Sequence, residues 1–362
     1  MTQRILITGG AGFIGSRLAK SLCDTHDVMV FDNFHPQVHG YSNVEAATGL
    51  VGKCRIVRGD MANAEELGSA VRSFNPDLIY HLAAETGTGQ SYDEPTRYNL
   101  VNVIGTANLI EAVRAHGSAV RRIVLSGSRA IYGEGAARDA QGHLRNAPPR
   151  RMEDLRRGNF GLKDEQGSPL TAVPTPETLA AAPASIYAST KLMQEYICTQ
   201  CAVGTDVDVA ILRLQNVYGP GQSLRNPYTG VISIFCQKVE RGEWLDVFED
   251  GEIIRDFVYV DDVVEAFCAC ATLTSAPVSP INIGTGLPVS IHAMAKSVLT
   301  LYGRSPDDHK VTGNFRAGDV RYAVAETTLA RDLLGWQPRI GFATGLKRFV
   351  EWAKENQSAL AS

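Results

Sequence analysis

No stretch of the chain is apolar for long enough to cross a bilayer, which takes about 20 residues in a row. An excess of charge of one sign is also missing: 35 Lys and Arg stand against 39 Asp and Glu, a net charge of −4. Without a basic stripe there is no electrostatic footprint for DNA or RNA. A secretory leader is not apparent either, because Arg4-Ile5-Leu6-Ile7 runs straight into a strand pattern. These absences predict a cytoplasmic protein that engages neither membrane nor nucleic acid. A disulfide framework is excluded as well, since seven cysteines are an odd number spread along a long chain. Cys198 and Cys201 have C-x-x-C spacing, but they fall in a helical pattern (Leu192 to Ala202) with no second Cys or His pair at ligand spacing. Reduced, partly buried thiols and no metal are expected there.

What is present is ordinary for a globular protein: 44% hydrophobic and 20% charged residues. The 362 residues exceed what one compact core needs, so two lobes or one enlarged α/β domain are expected. Short apolar runs alternate with amphipathic stretches through the first half, the pattern of βαβ units on a parallel sheet. Strands are predicted at Arg4–Thr8, Val28–Asp32, Arg55–Gly59, Leu78–Ala83, Arg122–Gly127 and Asp208–Leu214, with helices at Phe13–Cys23, Ala64–Phe74 and Arg97–His116. Residues 134–183 break this rhythm with Pro148-Pro149, Arg150-Arg151 and further prolines, and read as a long surface excursion, lid or decoration. Beyond Tyr218-Gly219-Pro220-Gly221 the segments shorten, which suggests a smaller C-terminal lobe.

Thr8-Gly9-Gly10-Ala11-Gly12-Phe13-Ile14-Gly15 follows the first strand and opens the first helix. Gly10, Gly12 and Gly15 match the dinucleotide fingerprint: a tight turn, backbone approach to the pyrophosphate, and close helix–strand packing. The helix N-terminus offers free N–H groups to the phosphates. Asp32 ends the second strand, where a carboxylate accepts from ribose hydroxyls and repels a 2′-phosphate, arguing for NAD over NADP. Its plain alternative is a cap on the next segment. Asp60-Met61, at the end of the third strand, is expected to hold the adenine edge.

Tyr187-Ala188-Ser189-Thr190-Lys191 sets a phenol and an ammonium one helical turn apart on one face. A neighbouring Lys⁺ favours the phenolate and brings it toward useful acid–base range. On an ordinary helix such a pair means nothing; behind a glycine-rich loop it reads as a catalytic pair.

With these motifs the chain resembles the extended short-chain dehydrogenase/reductases, and within them the nucleotide-sugar epimerase/dehydratase family. The likeness runs through His81-Leu82-Ala83-Ala84, Asn102 with Gly105-Thr106, Ser126–Gly133, Leu212–Gly221, Arg255–Asp262 and Arg316–Asp319. It implies a doubly wound Rossmann domain (1–214, with the insert at 134–183) and a smaller mixed α/β nucleotide-sugar domain (215–362) interleaved with it. It also implies pairing as a homodimer through Arg97–His116 and the Tyr187 helix. Ser128, Tyr187 and Lys191 would be catalytic. Gly9, Gly12, Phe13, Ile14, Gly15, Asp32, Asn33, Asp60, Met61, Leu82, Ala83, Ala84, Asn102 and Ser126 would join Tyr187 and Lys191 around NAD. Thr86, Ser128, Arg129, Asn216, Phe248, Arg255, Arg316 and Asp319 would face the nucleotide sugar, with Arg255 and Arg316 clamping its diphosphate.

Arg129-Ala130 separates the branches. The related 4,6-dehydratases carry Asp-Glu there, the decarboxylating relatives place Glu at the second position, and the 3,5-epimerases use a Cys in this segment. Ala130 moves no proton, so the remaining chemistry is hydride transfer with Tyr187 as proton carrier: inversion at C4 through a 4-keto sugar. A 4-ketoreductase is the enzymatic alternative, but it usually wants NADPH, which Asp32 disfavours. A regulatory NAD-binding protein is the non-enzymatic alternative, and such relatives typically lose the Tyr/Lys pair. Glu85–Ser91, Ser126–Gly135 and Ser223–Gly230 look more like a bacterial branch that includes dTDP-L-rhamnose 4-epimerases than like UDP-galactose 4-epimerases, the alternative. Counting on from Asp319, Ala323 (Tyr322 if the count shifts by one) is expected either to line the sugar pocket or to pack under a short strand.

Overall fold

The computed structural model describes residues 2–40, 48–224, 230–277 and 279–356; part of the Ser223–Gly230 segment (225–229) therefore lies outside the described residues. Seven parallel strands form the central sheet, in the order Ile281–Ile283, Asp208–Leu214, Arg122–Ser128, Leu78–His81, Arg4–Thr8, Asp27–Asp32 and Arg55–Arg58. Six are the strands expected from the apolar runs. Two end sooner than predicted, at Arg58 and His81, because the following residues leave the sheet to line a cleft. The seventh, Ile281–Ile283, is too short to signal itself; it pairs Ile281 with Leu212 and Ile283 with Leu214.

Alternation along the strands feeds two cores. Ile5 and Ile7 point to one face, where Leu18, Leu22, Val263 and Phe267 pack. Leu6 points to the other, among Leu67, Val71, Leu109 and Val113. Helices Phe13–Leu22 and Val260–Ala271 cover the first face, Ala64–Phe74 and Gly105–His116 the second. The chain starts in mid-sheet, steps out to Arg55–Arg58, then returns to the far side of Arg4–Thr8. That reversal opens a crevice beyond the strand C-termini, where doubly wound sheets bind ligands.

Arg97–His116, predicted as one helix, is three pieces: Pro95–Tyr98, a wide π-type stretch Asn99–Ile104, and Gly105–His116. The stretch carries Asn102, fully buried and bonded to Glu85 and Thr190. Such π segments gather at functional sites.

The 134–183 insert is no loose excursion. Leu144–Asn146, Ala136–Arg138 and Thr171–Ala172 make an antiparallel sheet over its own small core of Ala137, Ala147, Leu162 and Leu170. It is fastened beyond itself: Thr175 N–H donates to the Val324 carbonyl (2.9 Å), and Asn282 N–H donates to Glu177 Oε1 (2.9 Å). The C-terminal lobe packs Phe235, Phe257, Tyr259, Leu346 and Phe349 among short two- and three-stranded sheets.

Candidate active site

A cleft of about 720 Å³ opens at the sheet's reversal point. Its walls contain Gly9, Gly12, Phe13, Ile14, Gly15, Asp32, Asn33, Asp60, Met61, Leu82, Ala83, Ala84 and Ser126, together with Thr86, Ser128, Tyr187 and Lys191. The glycines divide by role. A Cβ on Gly15 would lie 2.4 Å from the Gly9 carbonyl oxygen, and one on Gly9 (φ +68°) 2.6 Å from Ala83 N, so both are demanded by packing. A Cβ on Gly12 would meet only the Gly9 carbonyl, at 3.2 Å. Gly12 is also the N-cap of Phe13–Leu22 and supplies no side-chain cap, which leaves the first N–H groups for a phosphate.

Asp32 is only 8% exposed. Its carboxylate accepts from Ala11 N–H (3.0 Å) and Phe34 N–H (2.8 Å), so the turn-capping role and the ligand-facing position coexist. A carboxylate has about four acceptor sites, and two remain for ribose hydroxyls. Asp60 accepts from Ala62 N–H and from Asn33 Nδ2, which ties the ends of the second and third strands together. Gln215 and Gln222, overlooked in the sequence, also line the cleft, each with a buried amide oxygen lacking a hydrogen-bond partner among the described residues. Backbone donors, an anion-ready helix end, a carboxylate and spare acceptors fit a dinucleotide.

Asn102 departs from its expected place. It does not line the cleft; its amide is spent on Glu85 N–H and C=O and on Thr190 Oγ1, since at zero exposure each polar atom needs a protein partner. It props the Glu85–Thr86 loop. Tyr98, also overlooked, donates to the Thr86 and Gly87 carbonyls and stands edge-on to the Tyr187 ring at 6.3 Å.

Ser128 ends its strand and caps the tight turn Arg129–Tyr132. Tyr187 starts the helix Ile186–Ala202, capped by Ser185. Arg213 locks helix to turn: it pairs with Glu195 (2.7 Å) and donates to Tyr132 Oη (2.7 Å), and Tyr132 donates to Asn282 Oδ1. Burial pushes the Tyr187 phenol up, and its hydrogen bond with Ser128 pulls it back down. Lys191, expected to give that pull directly, turns instead to Gln194 Oε1 at 2.5 Å. Burial brings its ammonium to about 8, while the Glu195 carboxylate works the other way. Gln194 Nε2 donates to Thr106 Oγ1, which itself donates to the Asn102 carbonyl, and His81 bridges Thr106 and Thr8. Burial, then the Lys191 charge, hold His81 down at about 3, so its imidazole is neutral.

The remaining predicted substrate residues form a second group beside the cleft. Arg255 pairs with Asp319 at 2.6 Å and donates to the Ile254 and Val320 carbonyls. Arg316 lies over the Phe248 ring at 5.1 Å. Arg129 donates to the Gly133 carbonyl, and burial, then the neighbouring Arg255 charge, bring its guanidinium down to about 10. Asn216 opens the short strand Asn216–Tyr218, paired with Phe257–Tyr259, and its N–H is held by the Asp256 carbonyl. Ala323 is 1% exposed and paired with Arg255 in a short sheet, so of its two expected places it takes the packed one.

The chain is 39% identical to the dTDP-L-rhamnose 4-epimerase of Burkholderia thailandensis, covering 97% of this chain and 94% of the relative. It is 32% identical to a UDP-glucose 4-epimerase of Mycolicibacterium smegmatis, with 97% and 98% covered. The solved UDP-glucose 4-epimerase of Thermotoga maritima, with UDP-glucose, superposes with a TM-score of 0.78 at 29% identity over 98% and 99% of the two chains. The model of the NAD-dependent epimerase/dehydratase family matches residues 5–153 and 161–284. A fingerprint loop at the reversal point of a doubly wound sheet, a Ser–Tyr–Lys set beside it, and these matches lead to one conclusion: the chain is a member of the NAD-dependent epimerase/dehydratase family, an enzyme that uses NAD.

Proposed function

We propose that the protein inverts C4 of a nucleotide-linked hexose, with a 6-deoxyhexose such as dTDP-L-rhamnose as the favoured sugar. The observation that carries the reading is the local chemistry around Ser128: it lines the same cleft as Tyr187 and Lys191, and the next two residues, Arg129 and Ala130, bring no carboxylate. Elimination of water across C5 and C6 needs a further acid and base. Inversion needs one proton carrier. As the phenolate, a form that the positive nicotinamide ring would favour, Tyr187 takes the C4 hydroxyl proton through or beside Ser128, and later returns it. NAD, held at the glycine loop and Asp32, would supply the hydride acceptor and donor for C4. Between the two transfers the 4-keto sugar turns over in the pocket, held by its diphosphate at Arg255 and Arg316. The kinship with a dTDP-L-rhamnose 4-epimerase supports the choice of sugar.

All seven cysteines are free, which supports a reducing, cytoplasmic setting. Leu100 and Ile104 on one segment, and Met193 and Tyr196 on the Tyr187 helix, are 44–52% exposed apolar residues. They support a homodimer joined through these elements.

The test is incubation of the purified protein with dTDP-L-rhamnose, UDP-glucose and UDP-galactose, following C4 epimers by NMR without added NADH. Epimers of dTDP-L-rhamnose should form fastest. A stoichiometric demand for reduced cofactor would instead make the protein a ketoreductase.

A further inference from the structure

Arg150 belongs to the insert by sequence and to the substrate lobe by contact. Its side chain is 3% exposed. Nε donates to Glu134 Oε1 (2.9 Å), one terminal nitrogen to Glu249 Oε2 (2.8 Å) and the Phe160 carbonyl (3.3 Å), and the other to the Asp319 carbonyl (2.8 Å). Three of these four partners adjoin different pieces of the site; Phe160 belongs to the insert. Glu134 follows Gly133, where the turn after Ser128 ends, and its second oxygen accepts from Arg321 N–H at 2.6 Å. Glu249 follows Phe248 and sits at φ +54°, a region that non-glycine residues rarely occupy unless the surroundings impose it. Asp319 is the partner of Arg255. Both glutamate side chains are at most 4% exposed, and burying such carboxylates is costly without a cation. Arg321 reaches Glu249 Oε2 at 3.2 Å but directs its shorter contacts to Asp250, at 2.6 and 2.9 Å. Only a planar guanidinium with five donors in a fork can serve three segments at once.

We propose that Arg150 is a positioning residue for the nucleoside diphosphate part of the substrate: it sets Phe248 and the Arg255–Asp319 pair at a fixed distance from the Ser128–Arg129 turn, and the insert is a strut that delivers it. The inference rests on the reading above, that Phe248, Arg255 and Asp319 face the nucleotide sugar. The insert is built for a fixed role. It has its own core, and its far end is bonded on both sides of the site, with Ala182 N–H on the Ile131 carbonyl (2.8 Å) and Glu326 N–H on the Thr175 carbonyl (3.0 Å).

The test uses the enzyme with its NAD. Arg150→Met keeps the side-chain volume and removes the fork. Calorimetric titration with dTDP and UDP should show affinity weakened about 10-fold or more, with KM for the sugar substrate raised alike, because displaced positioning contacts cost on that order. The kcat should stay within about threefold and NAD content should be unchanged. Arg150→Lys should recover part of the loss, since one ammonium cannot span all three segments. Glu134→Gln/Arg150→Met relieves one stranded carboxylate, so its thermal stability should rise above that of Arg150→Met while KM stays high. Wild-type KM and dTDP affinity in Arg150→Lys and in the double variant would overturn the proposal. Arg255→Lys, measured in parallel, separates the two readings. Weak dTDP binding there with normal binding in the Arg150 variants sinks the positioning role alone; normal binding in Arg255→Lys removes the premise as well.

Discussion

On the side of the cleft proposed for the dinucleotide, much of the lining is backbone: glycine turns, uncapped helix N–H groups and the strand-end residues Leu82, Ala83 and Ala84, with Asp32 21 residues from its partner Ala11. On the side proposed for the nucleotide sugar it is guanidinium and carboxylate, and the pairs reach far, 99 residues from Arg150 to Glu249 and 64 from Arg255 to Asp319. A site made of backbone geometry needs particular residues at fixed local spacing. A site made of long-range charge pairs needs only that the fold bring opposite signs together. The first kind therefore writes itself into one compact motif, while the second shows only as scattered residues such as Arg255, Arg316 and Asp319.

The sharpest break between the sides should come at the group they share. Tyr187→Phe should lower turnover by about 10²–10⁴-fold, the usual worth of a positioned proton carrier. NAD content and dTDP affinity should both survive it. Near-normal turnover would remove Tyr187 from the chemistry.

Within the dinucleotide side, packing and ligand approach can be pulled apart. Gly15→Ala pushes a methyl against the Gly9 carbonyl and the Gly10 backbone, and should cost about 1–3 kcal/mol in chemical denaturation as well as NAD. Gly12→Ala should lose NAD with a much smaller stability change, since its methyl meets one atom at 3.2 Å and its φ of −68° suits alanine. Equal destabilisation of the two would show that Gly12 is a packing glycine too.

A third change tests how Lys191 is supported. Its folded value near 8 lies below the ordinary 10.5, so between those values the unfolded chain holds the extra proton, and this contribution to stability grows as pH rises through that window. Gln194→Glu places a carboxylate where the amide oxygen now accepts, which favours the ammonium. The basic limb of the kcat/KM profile should move up by about one pH unit, and the stability gain between about 8 and 10.5 should flatten. An unmoved basic limb would mean that another group sets it.

The smallest effect on activity is expected at Ala323. Because it is buried beside Arg255 in a short sheet, Ala323→Ser should leave the relative kcat/KM for small and large sugars unchanged, while the buried hydroxyl costs about 1–3 kcal/mol of stability. A shift in sugar preference would return it to the pocket wall.

Six of the seven sheet strands, the fingerprint loop, Asp32 and the Tyr187–Lys191 pair were legible in the amino-acid order alone, because each follows from short continuous apolar runs, required glycines or one helical turn. Ile281–Ile283 was not, since three apolar residues carry no periodicity and only Asp208–Leu214 gives them a place. Asn102 read as a ligand contact because its position and its chemistry suited one, but whether an amide faces a cleft or a buried loop depends on what packs over it. Lys191 read as the direct partner of Tyr187 on spacing, yet a lysine side chain has several rotors and a neighbour at Gln194 that spacing cannot rank. The insert shows the limit most clearly. Its prolines and charges announce a loop, while three of the four partners of Arg150 lie 16, 99 and 169 residues away. Local order decides turns, strands and caps because their energies come from neighbouring residues; only the folded chain decides which distant charges meet, because that energy exists only once both have been buried together.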